Sequence, residues 1–421
     1  YLDRGVKLIK ELLDNKKSNG GILFFVTSIS ETNDMCQKLI DSDNSFKDVN
    51  VCVPMFSGMN EEQKKIAVHK AYYRGFVKDG RKIIISTNVA ESSLTVEGIE
   101  YVIDSGLELR SGFDPKYRIN ILEKTLITHA QAKQRMGRTG RTGPGTCYHL
   151  YTNETFEKTM ERFPLPAIRN ESISFEIIRL MSLSNAQSVN DLKLMLQNFI
   201  EPPSKKYLKY ELKHLKNIGM ITDYSEKGEL TKIGKFISEM QIDPLTGLAL
   251  IMGYRLNCFR EVAGILSVID VIKGSIDKLF TLQTPDESEG EILDNDKNAQ
   301  RLKNVTNKMK TLRKDFIDQY GDHMAILKIF KEYEEKRKNS DELNQWTYKY
   351  FLKRDMLEKS YQGYLKMKYR YRNMISQYVQ SNYEKINDEI WNIGIKYKVM
   401  ASFIFSLTQG DVEKLDQYLL I

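Results

Sequence analysis

The sequence predicts an α/β part built on a parallel sheet, followed by a part that is almost entirely helical. In residues 1–150, short apolar runs such as 22–26 alternate with segments of helical spacing such as 8–13. A continuous apolar run is typical of a strand buried on both faces of a parallel sheet, whose faces the intervening helices cover. Past residue 165 the strand patterns nearly disappear, so the fold class changes near that point.

The predicted strands of the first part alternate with helical patterns. They lie at residues 22–26, 51–55, 83–85, 101–103 and 146–150. Apolar residues three and four positions apart predict one helix before the first strand and another after it, over 35–40. With 421 residues, of which 41% are hydrophobic, the chain can bury more than one core.

The second part begins with helices and a short hairpin, a combination that indicates a winged helix. Ser204 follows two prolines and is predicted to cap a helix that ends at Gly219. Segments 220–222 and 229–231 flank a Lys-Gly turn and predict the hairpin. Beyond it the pattern is helical, apart from an acidic stretch at 284–296 that is predicted to be a solvated loop.

Composition narrows the possible function classes. The net charge of +7, from 63 basic and 56 acidic residues, favours a polyanionic partner only weakly. Cys36, Cys52, Cys147 and Cys258 lie far apart without a CxxC pair, which argues against a zinc module or a disulfide framework and favours a reducing compartment. No apolar run approaches ~18 residues, so we expect no membrane-spanning segment.

The most informative segment is an arginine run at 134–141. Gln134 opens it, and Arg135, Arg138 and Arg141 follow at intervals of three, with glycines between them. Guanidinium groups held on one side suit a polyphosphate better than a single carboxylate. The alternative, a flexible Arg-Gly tract that binds RNA loosely, is typical of low-complexity sequence, which this segment is not.

A second segment, 87–98, is rich in hydroxyl and amide side chains and follows a predicted buried strand. Ligands of open parallel sheets collect beyond the carboxyl ends of the strands, and these donors suit phosphate oxygens. A loop whose serines and threonines cap helix N-termini explains the segment equally well.

Taken in order, these segments resemble the motifs of superfamily 2 helicases of the DEAH/RNA-helicase-A group. Residues 82–98 resemble motif V, 134–141 motif VI and 21–27 motif IV, and Phe56 to Met59 with Gln63 resemble the short motif that follows it. The resemblance implies an α/β RecA-like domain over 1–165, a winged helix over 166–240 and an all-α ratchet domain over 241–421.

The resemblance also implies a nucleotide site. ATP with Mg²⁺ would bind between two RecA-like domains, of which this chain supplies one. Gln134 would orient the attacking water, and Arg138 and Arg141 would be arginine fingers. The chain contains neither a GxxxxGK[ST] sequence nor a DEAH motif, so the magnesium ligands would lie on a first domain outside it, and we expect no metal ligand here.

Further roles follow from the same resemblance. Thr95, Glu97 and Gly137 would lie near the nucleotide. Arg135 is expected to be structural and paired with a carboxylate. The family commonly has Asp at the position of Glu97.

The nucleic-acid contacts follow in the same way. Thr27, Ser57, Thr87 and Asn88 would hold the RNA backbone. Between residues 106 and 127 the family has a long hairpin that enters the duplex, although a polar surface loop is the simpler alternative.

Two features leave alternatives open. The family has a Phe that stacks on adenine near the position of Ala67, and Tyr72 and Tyr73 are candidate substitutes. The basic and aromatic stretch 361–372 fits base stacking with phosphate neutralisation, or a helix with aromatic residues in its core, equally well.

The sequence therefore predicts part of an ATP-dependent RNA helicase that moves 3′ to 5′ on single-stranded RNA and remodels duplexes or RNA–protein complexes. Its expected partners are RNA with a 3′ overhang, the first RecA-like domain and a protein activator, with no membrane. The expected location is intracellular, in the nucleus or the cytoplasm, or a virion for a viral protein. The chain opens on Tyr1 and is expected to be an inactive fragment by itself. A DNA-directed helicase and a non-catalytic RNA- or protein-binding scaffold are the alternatives.

Overall fold

The computed structural model divides the protein into two compact units, Tyr1–Glu171 and Ser172–Ile421. The described residues are 1–14, 20–42, 46, 50–57, 59, 61–69, 81–92, 96–139, 143–183, 186–280, 307, 311–383 and 394–407. The predicted acidic loop at 284–296 lies outside them, as do Tyr72 and Tyr73. The three-domain division, with a boundary after residue 240, stays a prediction.

A five-stranded parallel sheet forms the centre of the first unit, as predicted. Its strands are β1 (Gly21–Phe25), β2 (Val51–Met55), β3 (Lys82–Ser86), β4 (Ile99–Asp104) and β7 (Thr146–His149), in the order β2-β3-β1-β4-β7. The helices described in this unit are α1 (Leu2–Asp14), α2 (Ile29–Asp41), α3 (Glu61–Val68), α4 (Val89–Ser92), α5 (His129–Met136) and α6 (Ala167–Asn170). A π-helical turn spans Thr155–Thr159.

Both faces of the sheet are buried, which explains the continuous apolar runs. Every residue of β1 and of β3 is buried. Ile22 and Phe24 pack with α1 and α2 on one face, whereas Leu23 and Phe25 pack with α3 on the other. On the first face α1 lies so close that a Cβ at Gly5 would come within 2.4 Å of the Phe24 ring.

An antiparallel hairpin stands outside the sheet and confirms the expected hairpin between residues 106 and 127. Its strands are β5 (Leu107–Asp114) and β6 (Ile119–Leu126), paired from Leu107↔Leu126 to Asp114↔Ile119. Tyr117, Ile119 and Leu122 are exposed on it. Several exposed apolar side chains on one element are typical of an interaction surface.

The expectation that the cysteines form no disulfide is wrong. Cys36 in α2 and Cys52 in β2 are bonded, with their Cα atoms 5.6 Å apart. The two residues are 16 positions apart in the sequence, and they meet because α2 packs back on β2. Sequence spacing does not reveal such a pairing, since the distance between the Cα atoms decides it. Cys147 and Cys258 are free.

The second unit begins with the predicted winged-helix elements. Ser204 caps its helix by accepting a hydrogen bond from the Tyr207 N–H. Ile221 and Leu230 form an antiparallel bridge, which confirms the predicted hairpin. The helices of this part are α7 (Ser174–Met181), α8 (Val189–Gln197), α9 (Lys205–Asn217) and α10 (Lys232–Met240).

The remainder of the second unit is helical within the described residues. Its helices are α11 (Pro244–Arg255), α12 (Phe259–Ile272), α13 (Asp322–Lys336), α14 (Ser340–Lys349), α15 (Arg354–Lys366), α16 (Arg372–Asn382) and α17 (Ile395–Leu407). A 3₁₀ turn at Ile276–Leu279 and a π-helical turn at Met367–Tyr371 complete the described elements. Among these helices none is both long and apolar enough to cross a membrane.

The basic and aromatic stretch 361–372 lies in α15 and the π-helical turn after it. Tyr364 and Tyr371 are buried, whereas Tyr369 is 69% exposed. The first two tyrosines support the core interpretation of this stretch. Tyr369 leaves one aromatic ring at the surface among basic residues.

Candidate nucleotide and nucleic-acid interface

The predicted nucleic-acid contacts all follow strands that are neighbours in the sheet. Ser57 comes after β2, Thr87 and Asn88 after β3, and Thr27 after β1. In the register of the sheet, Ser86 pairs with Met55 on one side and with Phe25 on the other. Because the three strands are parallel and adjacent, the predicted contacts form a row at the carboxyl ends of the strands, along one edge of the sheet.

Backbone hydrogen bonds hold this row together. The Thr87 N–H donates to the Met55 carbonyl at 3.0 Å, and the Val26 N–H donates to the Ser86 carbonyl at 2.8 Å. Ser57 and Asn88 are exposed, and Thr87 is half-buried. The edge therefore presents hydroxyl and amide groups on a rigid backbone, an arrangement that suits the oxygens of a polyanion.

Thr27 differs from the other members of the row because it is buried and already bonded. Its N–H and its hydroxyl donate to the same carboxylate oxygen of Glu31, at 2.8 Å and 2.7 Å. Only 5% of its surface is exposed. Any anion that reaches this part of the edge meets Thr27 together with Glu31.

The arginine run begins in the last turn of α5. Thr128 caps this helix in a reciprocal pair with Gln131, and the helix ends at Gly137. Gln134 and Gly137 are both exposed. Since the carboxamide of Gln134 can both donate and accept hydrogen bonds, it is the chemically suitable group at this surface for orienting a water molecule.

Arg135 is structural, as predicted, and is fully buried. Its Nε donates to the Glu91 carboxylate and its Nη1 to the Asp104 carboxylate, each at 2.9 Å. Nη1 also donates to the Leu107 carbonyl at 3.1 Å. The guanidinium lies 4.8 Å from the centre of the Phe25 ring. One side chain thus joins the helix that carries Gln134 to α4, to the end of β4 and to the base of the hairpin.

Burial and the neighbouring charges together shift the pKa of each ionisable group in this cluster. Burial raises the pKa of Asp104, but hydrogen bonding by His149, the charge of Arg135 and the Gly106 N–H outweigh it, so that the pKa is lowered. At Glu91 burial prevails over the attraction of Arg135, and the pKa is raised. Burial would lower the pKa of Arg135, but the two carboxylates outweigh it and raise the pKa. The guanidinium therefore stays charged.

Arg138 is 8% exposed and donates to the main-chain oxygen of Glu91. Arg135 and Arg138 therefore bind the side chain and the main chain of the same residue of α4. This double contact fixes α4, which lies within the segment that resembles motif V, against the arginine run.

The remaining predicted nucleotide contacts are only partly described. Glu97 is exposed in the turn before β4, and its N–H donates to the Val68 carbonyl. Arg141 and Thr95 lie outside the described residues. Ala67 is fully buried in the sheet core, so its side chain faces no nucleotide surface. Within the described ranges, no cluster of three or more His, Cys, Asp or Glu residues could hold a metal ion.

Sequence reasoning missed three carboxylates that organise this surface: Glu31, Glu91 and Asp104. Asp104 ends an apolar strand pattern, and a charged residue in that position is a usable signal because a buried charge must be paired. Glu31 and Glu91 stand in polar segments, where nothing in the sequence distinguishes them from exposed carboxylates.

Comparison with known proteins bears on the family. The family described as "Helicase conserved C-terminal domain" matches residues 4–143. A protein of Acanthamoeba polyphaga mimivirus named "Putative ATP-dependent RNA helicase L540" is 32% identical over 359 residues, which are 85% of this chain and 48% of that protein. The pre-mRNA-splicing factor ATP-dependent RNA helicase prp22 of Schizosaccharomyces pombe is 32% identical over 274 residues. These matches support a C-terminal region of a DEAH-type helicase of superfamily 2.

The match to prp22 covers 64% of this chain and 22% of that protein. The crystal structure of the E. coli DExH-box NTPase HrpB matches with a TM-score of 0.54 at 21% identity, covering 73% of this chain and 35% of that one, and shows the fold alone. The chain thus spans about half the length of the mimivirus relative and less of the other two.

The parallel sheet and the likeness to HrpB confirm the predicted fold class. The two curated relatives are both named as ATP-dependent RNA helicases. Gln134 and Gly137 are exposed at the end of α5, and Arg138, which follows them in the sequence, is buried. A carboxamide, a glycine and a guanidinium are groups that suit a polyphosphate.

Proposed function

We propose that the chain is part of an ATP-dependent RNA helicase that moves 3′ to 5′ along a single strand and separates duplexes or RNA–protein complexes. The row formed by Ser57, Thr87, Asn88 and Thr27 supports this proposal most strongly. It lies at the carboxyl ends of adjacent strands, and α4, which follows Asn88, contacts the helix that carries Gln134. A motor needs a nucleic-acid contact and a nucleotide contact on one rigid body, and Arg135 makes that connection here.

On the nucleotide side, Gln134 orients the attacking water, and Arg138 and Arg141 stabilise the charge that develops on the transferred phosphoryl group. Thr95, Glu97 and Gly137 lie near the nucleotide. In this role the Arg138 side chain has to leave the Glu91 carbonyl when ATP and the first RecA-like domain arrive, with Mg²⁺ bound by that domain.

On the nucleic-acid side, the hydroxyl and amide groups of Ser57, Thr87 and Asn88 donate to backbone phosphates, with Thr27 beside them. The exposed apolar side chains of the hairpin meet the duplex. These contacts carry no base specificity, as expected for a protein that moves along its substrate. The further proposed domains are a winged helix over 166–240 and a ratchet domain over 241–421. A protein activator is a further proposed partner.

The finger assignment is tested in the complete protein with Arg141→Ala, and Arg162→Ala serves as an exposed control in the same unit. RNA-stimulated ATP hydrolysis should fall by about a thousandfold in the first variant, because one finger contributes ~10³ or more to the rate. RNA affinity should change little. Unchanged turnover in Arg141→Ala would reject the assignment.

The substrate is tested by unwinding of matched RNA and DNA duplexes with 3′ or 5′ tails. The proposal expects activity on the RNA duplex with a 3′ tail. Preference for DNA would identify a DNA-directed helicase. Binding without RNA-stimulated ATP hydrolysis would identify a scaffold.

A further inference from the structure

Glu31 accepts hydrogen bonds from three separate segments of the first unit. The hydroxyl of Tyr1 donates to Oε2 at 2.5 Å, and the N–H and hydroxyl of Thr27 donate to the same oxygen at 2.8 Å and 2.7 Å. Lys124 donates to Oε1 at 2.7 Å. Both carboxylate oxygens are thereby used, and they join Tyr1 just before α1, the loop after β1 and the hairpin strand β6.

The Lys124 contact spans 93 positions of sequence and leads from the hairpin to the predicted strand-binding edge. The side chain of Glu31 is 12% exposed and that of Lys124 is 46% exposed. The Lys124 ammonium also lies 5.5 Å from the centre of the Tyr1 ring. An ion pair whose carboxylate is mostly buried is stronger than an ion pair in which both charges are fully exposed to water.

The ionisation state of Glu31 agrees with this geometry. Burial opposes the charge, but hydrogen bonds from Lys124, Tyr1 and Thr27 outweigh it and lower the pKa of Glu31 to about 2. The carboxylate is therefore charged at neutral pH, and the contact with Lys124 is a true ion pair.

The other strand of the hairpin has its own anchor. Glu108 in β5 accepts a hydrogen bond from Gln131 of α5 at 2.6 Å, and it pairs with Arg110 at 2.7 Å. The hairpin is thus held on the β5 side by the helix of the arginine run and on the β6 side by Glu31. The two anchors thus tie the two strands to different elements, β5 to α5 and β6 to α2.

We propose that Glu31 is a positioning residue that fixes Thr27 and, through Lys124, ties the hairpin to the strand-binding edge. The carboxylate makes the hairpin and the loop that carries Thr27 move as one body, so that a step along the strand pushes the hairpin into the duplex. This inference rests on the proposed helicase function, because only a motor has a step to transmit.

The variants Lys124→Met and Glu31→Gln separate this role from folding. Methionine keeps the length of the Lys124 side chain without its charge. Glutamine keeps an oxygen that can accept from Thr27 but loses the ion pair. Lys38→Met is the matched control, because Lys38 also lies on α2 and forms a surface ion pair, with Asp3 at 3.0 Å.

In the complete protein, unwinding of an RNA duplex and RNA-stimulated ATP hydrolysis are measured on the same preparations. Each single variant should lower the unwinding rate about fivefold, the scale of a partly exposed ion pair, while kcat for ATP stays within about twofold. The double variant should unwind as fast as either single variant, since both changes remove the same contact. Glu31→Ala, which also releases Thr27, should in addition raise the KM for RNA.

Normal unwinding by Lys124→Met, or effects that simply add in the double variant, would overturn the inference. A wild-type protein that hydrolyses ATP with RNA but unwinds nothing would instead reject the proposed function, and the inference with it. Loss of activity in Lys38→Met would indicate a general effect of surface charge and would also count against the role of Glu31.

Discussion

Arg135→Met should be among the most destabilising changes in the first unit. Arg135 has no exposed surface, and its two carboxylate partners are also buried, with Asp104 at 0% and Glu91 at 7% exposure. Methionine fills a similar volume but leaves both carboxylates without their positive partner. Breaking a buried ion pair from one side costs about 3–5 kcal/mol.

The same change can be followed by thermal unfolding. For a unit of this size, a loss of 1 kcal/mol lowers Tm by roughly 2–4 °C. The loss of about 3–5 kcal/mol expected for Arg135→Met therefore corresponds to a fall in Tm of about 6–20 °C. Urea unfolding at pH 7, followed by circular dichroism, measures the free energy directly. Lys158→Met is the control, because Lys158 and Glu154 form an ion pair at 3.1 Å with both side chains 74% exposed. Its effect should stay within about 0.5 kcal/mol.

The pH dependence gives an independent check with a defined sign. In the wild type the pKa of Asp104 is lowered, so its contribution to stability is present above its ordinary pKa and is lost as pH falls through the folded value. In Arg135→Met burial is opposed less strongly, because His149 and the Gly106 N–H remain at Asp104 but the guanidinium is gone, and the pKa of both carboxylates should rise. The folded variant then binds more protons than the unfolded one. The difference in the free energy of unfolding between wild type and Arg135→Met should therefore shrink as pH is lowered from 7 towards 5.

A combined variant tests the cause of the loss. Arg135→Met with Glu91→Gln and Asp104→Asn removes the unpaired charges and should recover part of the lost free energy. A loss below about 1 kcal/mol at pH 7 in Arg135→Met, or a deficit that grows as pH falls, would refute the reasoning.

Three further measurements follow from contacts in the structure. The stability advantage of wild type over Glu31→Gln should be fully present above pH 4.5 and disappear as pH falls towards about 2, because the pKa of Glu31 is lowered from 4.5 to about 2. Urea unfolding from pH 7 to pH 2 measures this difference, and a difference that stays constant with pH would contradict the expectation. Iodoacetamide should label two cysteines in the denatured, unreduced protein and four after reduction, since Cys36 and Cys52 are bonded; four labels without reductant would contradict the disulfide. Asp243→Ala should lower the free energy of unfolding by about 1 kcal/mol, because it removes the cap that accepts hydrogen bonds from two N–H groups of α11. Urea unfolding compares it with Asp270→Ala at an exposed position, and equal effects would argue against the cap.

The parts of the fold that could be predicted from the sequence are those in which burial is continuous along the chain. β1 and β3 are buried at every residue, and their apolar runs were correctly interpreted as strands of a parallel sheet. Ser204 was correctly predicted as a cap because capping depends on residues only three positions apart.

The candidate site was predictable only in part. The structural role of Arg135 was predicted, but its partners Glu91 and Asp104 were not, because they lie 44 and 31 positions away. The bonding of Arg138 to the Glu91 carbonyl was also not anticipated. A contact with a main-chain oxygen leaves no trace in the sequence, because every residue has such an oxygen.

The disulfide prediction failed for a related reason. The cysteine spacing was compared with local patterns, whereas Cys36 and Cys52 come together through the packing of a helix on a strand. Tertiary packing likewise brings Glu31 of α2 within reach of Lys124 in β6, 93 positions away.

The sequence by itself determined the order of strands and helices, the helicase family and the chemical types gathered at the sheet edge. These properties depend on local periodicity and on short motifs, which are read directly from neighbouring residues. Only the tertiary structure decided which charges pair, that Thr27 is bonded to Glu31, and that the hairpin is anchored on both strands. Those facts depend on distances between segments far apart in the chain, and a distance is settled only when the core packs.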